Sequence, residues 1–160
     1  MTSSEQISPL PQAQSVYERQ IQAECASFTA SFEGSLNALF CIIFSKPITG
    51  ATREALLATA KRGGFSASDI VWMNTEALEP PDLMHLIEAI DPLCAVVLDQ
   101  RAAETLSRAY NQPIKLAECD FILGRPCAAF VDFERMLETE ERKQQAWSLM
   151  KEMLSQTNDV

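Results

Sequence analysis

Ala38-Leu39-Phe40-Cys41-Ile42-Ile43-Phe44 is an unbroken run of seven apolar residues, rich in aromatic and β-branched side chains. A run this short and continuous suits a strand buried on both faces; a half-exposed strand would alternate apolar with polar. Ser45-Lys46-Pro47-Ile48-Thr49-Gly50 ends it. Thr52 to Arg62 then reads as a helix with Leu56, Leu57 and Ala60 inward, Thr49 or Thr52 as its cap, and Gly63-Gly64 as its stop. Asp69 to Asn74 reads as a second strand. Glu79-Pro80-Pro81-Asp82 opens a helix that runs to Ile90, since proline is tolerated in a first turn. Leu93 to Leu98 is a third buried strand, and Gln100 to Tyr110 a helix. Ile114 to Leu116, Phe121 to Leu123 and Ala128 to Asp132 read as short strands, with Gly124-Arg125-Pro126 a turn. Thr139 caps a last helix, Glu140 to about Ser155, with Ala146 or Trp147, Met150 and Leu154 inward. Strands that alternate with helices, the first of them apolar throughout, predict an α/β fold. The expected form is a three-layer α/β/α arrangement around a mainly parallel sheet.

Upstream of the decisive run, residues 1–12 are polar and carry Pro9 and Pro11, so they read as a disordered tail. Residues 13–32 read as a weakly amphipathic helix, and residues 31–37, with Gly34, as a linker. The organisation expected is therefore tail 1–12, helix and linker 13–35, and one α/β domain over 36–156.

Composition agrees with a single domain: 160 residues, 47% apolar and 22% charged. The net charge of −9 repels phosphates, so DNA binding is expected to be weak or absent. No segment approaches the roughly 18 consecutive apolar residues of a membrane span. The N-terminus lacks a basic and apolar leader, which makes the cytoplasm the default expectation. Five cysteines, none in a C-x-x-C pair, read as reduced thiols, with Cys41 and Cys94 inside apolar runs. No metal or other cofactor is expected. His85 is the only histidine, so Ser45 has no imidazole base within its own element. Glycine motifs for dinucleotides or nucleoside triphosphates are missing, as is the nucleophile elbow of α/β-hydrolases.

Four local strings, taken in order, resemble the uracil-DNA glycosylase superfamily, most of all its bacterial and archaeal iron–sulfur branch. Pro47-Ile48-Thr49-Gly50 followed by Leu56-Leu57 is similar to the family's Pro-Phe-Val-Gly loop and helix. Gly64 to Asn74, with Pro80-Pro81 beyond it, is similar to its Gly-Leu-x-x-x-Asp-Val-Tyr-Ile-Thr-Asn strand and Pro-Pro. Ile90 to Leu98 and Ala102 to Leu106 resemble the next strand and helix, and Arg142 to Trp147 the start of the final helix. The resemblance spans about residues 38–155 and implies that family's fold.

The departures bear on function. The family's water-positioning Gly-Glu-x-Pro-Gly loop is missing, because Ser45-Lys46-Pro47 follow the first strand directly. Its His-Pro-Ser motif falls near Asp132, Phe133 and Glu134. A carboxylate there would oppose the negative charge that develops on a departing base. The stacking phenylalanine is Ile48, which removes the flat face under a flipped base. The cluster cysteine before Pro-Pro falls near Leu78, so no iron–sulfur cluster is expected. Asn74 falls where the family's base-reading asparagine stands; an amide can donate and accept at once. It also suits a turn.

The resemblance therefore implies a non-catalytic glycosylase-like protein, an interaction module of DNA repair or replication. The psi accessory subunit of bacterial replicative polymerase is similar to this fold and also lacks the catalytic motifs. A second class stays open: a divergent glycosylase or nucleoside-type hydrolase. In it Asp132 or Glu134 activates water, and Asn74, Ile48, Ser45 and Lys46 form the base pocket; a bulky side chain such as Trp72 or Phe133 filling that cleft would count against it. An unrelated α/β domain is a third reading. A protein partner is expected at the helix over 13–32, unless that helix packs on its own domain. Lys46, Arg53, Lys61 and Arg62 form the only basic cluster near the pocket; it reads as a phosphate contact or a solvated helix face. Glu138, Glu140 and Glu141 suit the positive end of the last helix.

Overall fold

The computed structural model describes residues 16–28 and 31–157. The tail assigned to residues 1–12 and the start of the helix assigned to 13–32 lie outside them.

The apolar run at 38–44 becomes β2 (Phe40–Phe44), whose first four residues are buried. Phe40, Ile42 and Ile43 have no exposed surface, worth about 1.5–3 kcal/mol each when fully buried. On one side β2 pairs in parallel with β3 (Ile70–Asn74), with Ile42 opposite Trp72. On the other it pairs in parallel with β4 (Cys94–Val97), with Ile42 opposite Val96. β4 in turn pairs in parallel with β6 (Arg125–Ala129). Both outer strands are antiparallel: β1 (Phe32–Gly34) runs against β3, and β5 (Cys119–Ile122) against β6. The protein is thus an α/β fold with a six-stranded mixed sheet in the order β1-β3-β2-β4-β6-β5.

Successive side chains of β2 enter two separate apolar clusters. Cys41 and Ile43 meet α1 (Val16–Cys25), α3 (Pro80–Ile90) and α4 (Gln100–Tyr110) through Ile21, Leu86 and Leu106. Phe40 and Ile42 meet α2 (Gly50–Arg62) and α5 (Glu140–Thr157) through Leu56, Met150 and Met153. The caps are local. Thr49 accepts from the Thr52 N–H at 3.2 Å, and Thr139 from the Arg142 N–H at 3.1 Å. Pro80 and Pro81 occupy the first positions of α3.

Several expectations need correction. Residues 31–37 are not a linker, because Phe32–Gly34 adds an edge strand to β3. Three residues are too few to show a period, but Gly34 carries the signal. Its φ is +123°, and a Cβ there would strike the Ile70 carbonyl oxygen. The domain accordingly starts before Leu36. It includes α1, whose Ile21 and Cys25 are buried; Phe28, in the 3-10 turn Ala26–Phe28, sits 6.1 Å from the His85 ring. The helix proposed as a docking element packs on its own domain. Ile114–Leu116 forms no strand, although both end residues pack against the core. Arg125 and Pro126, read as part of a turn, instead begin β6, which ends at Ala129 rather than Asp132.

The β5–β6 connection is a two-residue hairpin, Leu123-Gly124, with φ of 47° and 85°, the left-handed pair of a type I′ turn. Within edge strand β5, the Phe121 N–H donates to Asp120 Oδ1 at 2.8 Å. The Phe121 carbonyl accepts from Gln112 Nε2 at 2.7 Å. At the start of β6, Arg125 is only 12% exposed in its side chain and meets Glu88 at 2.7 Å and Asp91 at 2.6 Å. It also donates to the Pro92 carbonyl at 3.1 Å, and Tyr110 donates to Glu88 at 2.7 Å. The Arg125 guanidinium therefore ties β6 to α3, and Glu88 extends the link to α4 through Tyr110. Burial pushes Glu88 up, but Arg125 and Tyr110 prevail and hold it below its ordinary value.

The five cysteines are free, four of them buried and Cys119 half-buried. Burial pushes the Cys94 thiol up to about 12 and the Cys41 and Cys127 thiols higher still, which removes thiolate reactivity at neutral pH. Among the described residues, no helix is long and apolar enough to cross a membrane.

Candidate functional site

The connection from β2 to β3 leaves through α2, on one face of the sheet. Those from β3 to β4 and from β4 to β6 leave through α3 and α4, on the other. The chain therefore reverses direction between β2 and β4. At such a switch point the loops beyond the carboxyl ends of the strands part, and α/β proteins bind ligands there. Here Ser45 follows β2, Leu98-Asp99 follows β4, and residues 130–134 follow β6.

Asp99 is the centre of this end of the sheet. It is 5% exposed and accepts the Ser45 N–H at 2.9 Å, the Ser45 hydroxyl, and the Ala102 N–H of the first turn of α4 at 2.9 Å. The Lys46 N–H adds a longer contact at 3.4 Å. Burial pushes its carboxyl up, but the hydrogen bonds from Ser45, Ala102 and Lys46 outweigh burial and hold it below the usual carboxylate range. A carboxylate so occupied is a cap and a brace, and a poor proton acceptor. Ser45, itself 7% exposed, spends its hydroxyl proton on Asp99.

Residues 130–133 fold across the gap. Phe130 and Phe133 N–H donate to the Val97 and Leu98 carbonyls at 2.9 and 2.8 Å, and Gln100 N–H to the Val131 carbonyl at 3.0 Å. Asp99 and Asp132 form an isolated antiparallel bridge. These bonds seat the Phe133 ring inside, 1% exposed and 5.1 Å edge-on to Phe130. The remaining cleft has a volume of about 20 Å³. That is about the space of one water molecule, against about 300–1,000 Å³ for ordinary ligand sites.

The cleft brings together Lys46, Ile48, Asp132 and Glu134 and leaves Asn74 out. Asp132 meets Lys46 Nζ at 2.8 Å through Oδ2, with Arg135 Nε farther off at 3.8 Å. Its Oδ1 is buried without a hydrogen-bond partner among the described residues. The hydrogen bond to Asp132 raises the Lys46 ammonium above its ordinary value despite some desolvation. Glu134 is exposed at the start of the 3-10 turn Glu134–Leu137. Asn74 caps the 3-10 turn Thr75–Ala77, with its Oδ1 accepting the Glu76 N–H at 3.0 Å. Its side-chain oxygen has the structural role, and the residue stands on the far side of β2 from Asp132.

The basic cluster is largely engaged within the chain. Arg53 lies 4.2 Å over the Trp72 ring and pairs with Glu33 at 3.3 Å, and Arg62 lies 4.7 Å over Trp147. No group of three His, Cys, Asp or Glu among the described residues is placed to hold a metal ion. One residue that governs the site, Asp99, escaped the sequence reading. It could have been found as an acidic cap between a buried strand and a helix. Phe133, one of the two bulky side chains whose presence in the cleft counts against an enzyme, lines it. The site and the sheet define an α/β protein whose switch-point cleft is closed by its own chain. No protein-family model matches this chain, and comparison with curated proteins gives no match.

Proposed function

We propose that this chain is a non-catalytic protein of the uracil-DNA glycosylase type, in which a three-layer α/β/α body serves as an interaction module in DNA repair or replication. The observation that carries this reading is the closed cleft: buried Phe133 lines it and only about 20 Å³ remains. The polar groups around it support the same view. Asp99, Ser45 and Asn74 are committed to backbone or to each other, and Asp132 is paired with Lys46. The net charge of −9 favours a protein partner over a polyphosphate chain. The test is base release from a uracil-containing single-stranded oligonucleotide at low salt, with Asn74→Ala alongside. No release above background is expected from either protein. Release by the wild type that Asn74→Ala abolishes would replace this reading with that of a divergent glycosylase.

A further inference from the structure

A second cavity lies beside the sealed cleft and has a different character. Its volume is about 450 Å³, within the range of sites that take small molecules. It opens where β6 ends and the first turns of α5 begin. Phe130, Val131, Met136 and Leu149 line it with apolar surface, and Asp132 and Gln145 also line it. Val131 is 54% exposed, an apolar side chain left to water in the middle of an apolar groove. Arg135 and Arg142 stand at the rim.

Those two guanidiniums are under-used. Arg135 reaches Asp132 only through Nε, at 3.8 Å, and Arg142 reaches Glu138 only through Nη1, at 3.3 Å. Each retains N–H donors that contact no other residue among those described. The Asp132 carboxylate in the same lining is already paired with Lys46 at 2.8 Å. On a chain with a net charge of −9, two partly free arginines beside an apolar hollow then mark it for an apolar body with one acidic end. A guanidinium binds a carboxylate through paired, charge-assisted N–H donors. The apolar walls supply the burial energy.

The geometry points to a binding site for a small amphiphilic carboxylate. Its chain or ring would lie against Val131, Met136 and Leu149, and its acid group between Arg135 and Arg142. The inference goes beyond the interaction-module reading and does not depend on whether the neighbouring cleft is catalytically silent.

The test uses the full chain and octanoate, with uncharged octanamide as its isostere, followed by calorimetry and by amide shifts in heteronuclear NMR. Octanoate should shift the amides of Val131, Met136, Arg142 and Leu149. It should bind at least about tenfold more tightly than octanamide, the difference one charge-assisted contact supplies. The double variant Arg135→Gln with Arg142→Gln changes exposed side chains, so it should fold normally and lose that preference. Shifts clustered elsewhere, equal binding of octanoate and octanamide, or an undiminished preference in a folded double variant would each overturn the assignment.

Discussion

Replacing Asp99 with alanine should destabilise the protein by about 3 kcal/mol. The magnitude follows from what its carboxylate holds. Loss of the α4 cap at the Ala102 N–H costs about 1 kcal/mol. The Ser45 N–H and hydroxyl lose their acceptor in a buried place, and an orphaned buried polar group costs about 1–3 kcal/mol. The hydroxyl can turn to another acceptor, so one such penalty is counted rather than two. A loss of that size is a large share of the roughly 5–15 kcal/mol that holds a domain together. Urea unfolding at neutral pH reads it as a lower midpoint at constant slope. The same carboxyl sets a pH dependence. Its folded pKa lies below the unfolded value of about 3.9. Its contribution is thus complete above that value and is lost as pH falls through the lower, folded one. Asp99→Asn keeps one acceptor oxygen, so it should lose less than the alanine variant and show a shallower decline in that acid window. A loss below about 1 kcal/mol for Asp99→Ala would refute the reasoning. It would mean that water reaches the Ser45 donors and the cleft is not closed.

Arg125→Ala should cost about 1–3 kcal/mol, discounted because Glu88 and Asp91 remain partly solvated, and the midpoint of urea unfolding measures it. The Glu88 carboxyl lies below its ordinary value in the folded protein. Its share of stability is therefore held above the unfolded pKa and lost as pH falls through the folded one; acid titration of Arg125→Ala should show that share missing. Phe133→Ala should cost about 3–5 kcal/mol and enlarge the cleft; the stability loss is read by thermal unfolding, and base release should stay at background. Leu123→Asn should stabilise by about 0.5–1 kcal/mol, because asparagine accepts the left-handed conformation that leucine resists and Leu123 is 63% exposed. A lower melting temperature for that variant would contradict the turn assignment.

The central strands were readable because each is an apolar run bounded by turn residues, and the helices because their caps are local. Thr49, Pro80 and Thr139 stand where the chain's own spacing puts them. What escaped is what depends on distant partners. Nothing in Phe32-Glu33-Gly34 announces that Trp72 and Arg53 will meet Glu33's strand. Phe133 can be named as a bulky candidate to fill the cleft, but nothing near it announces the backbone bonds to Val97 and Leu98 that seat residues 130–133. Lys46, Ile48 and Asp132, grouped through the family resemblance, line one small cleft. Asn74 comes from the same resemblance, but the sheet order puts β2 between it and Asp132.

The hydrogen bonds at Phe121 reach beyond the hairpin they tidy. Its N–H and carbonyl are taken by Asp120 and Gln112, so the outer rail of β5 offers few free donors and acceptors to an incoming strand. At the opposite end, β1 is three residues long. A sheet finished in this way resists growth by backbone pairing, whether with another protein or with misfolded copies of itself. Recognition of this molecule then falls to side chains on its helices and loops, where single substitutions can retune it without disturbing the sheet beneath.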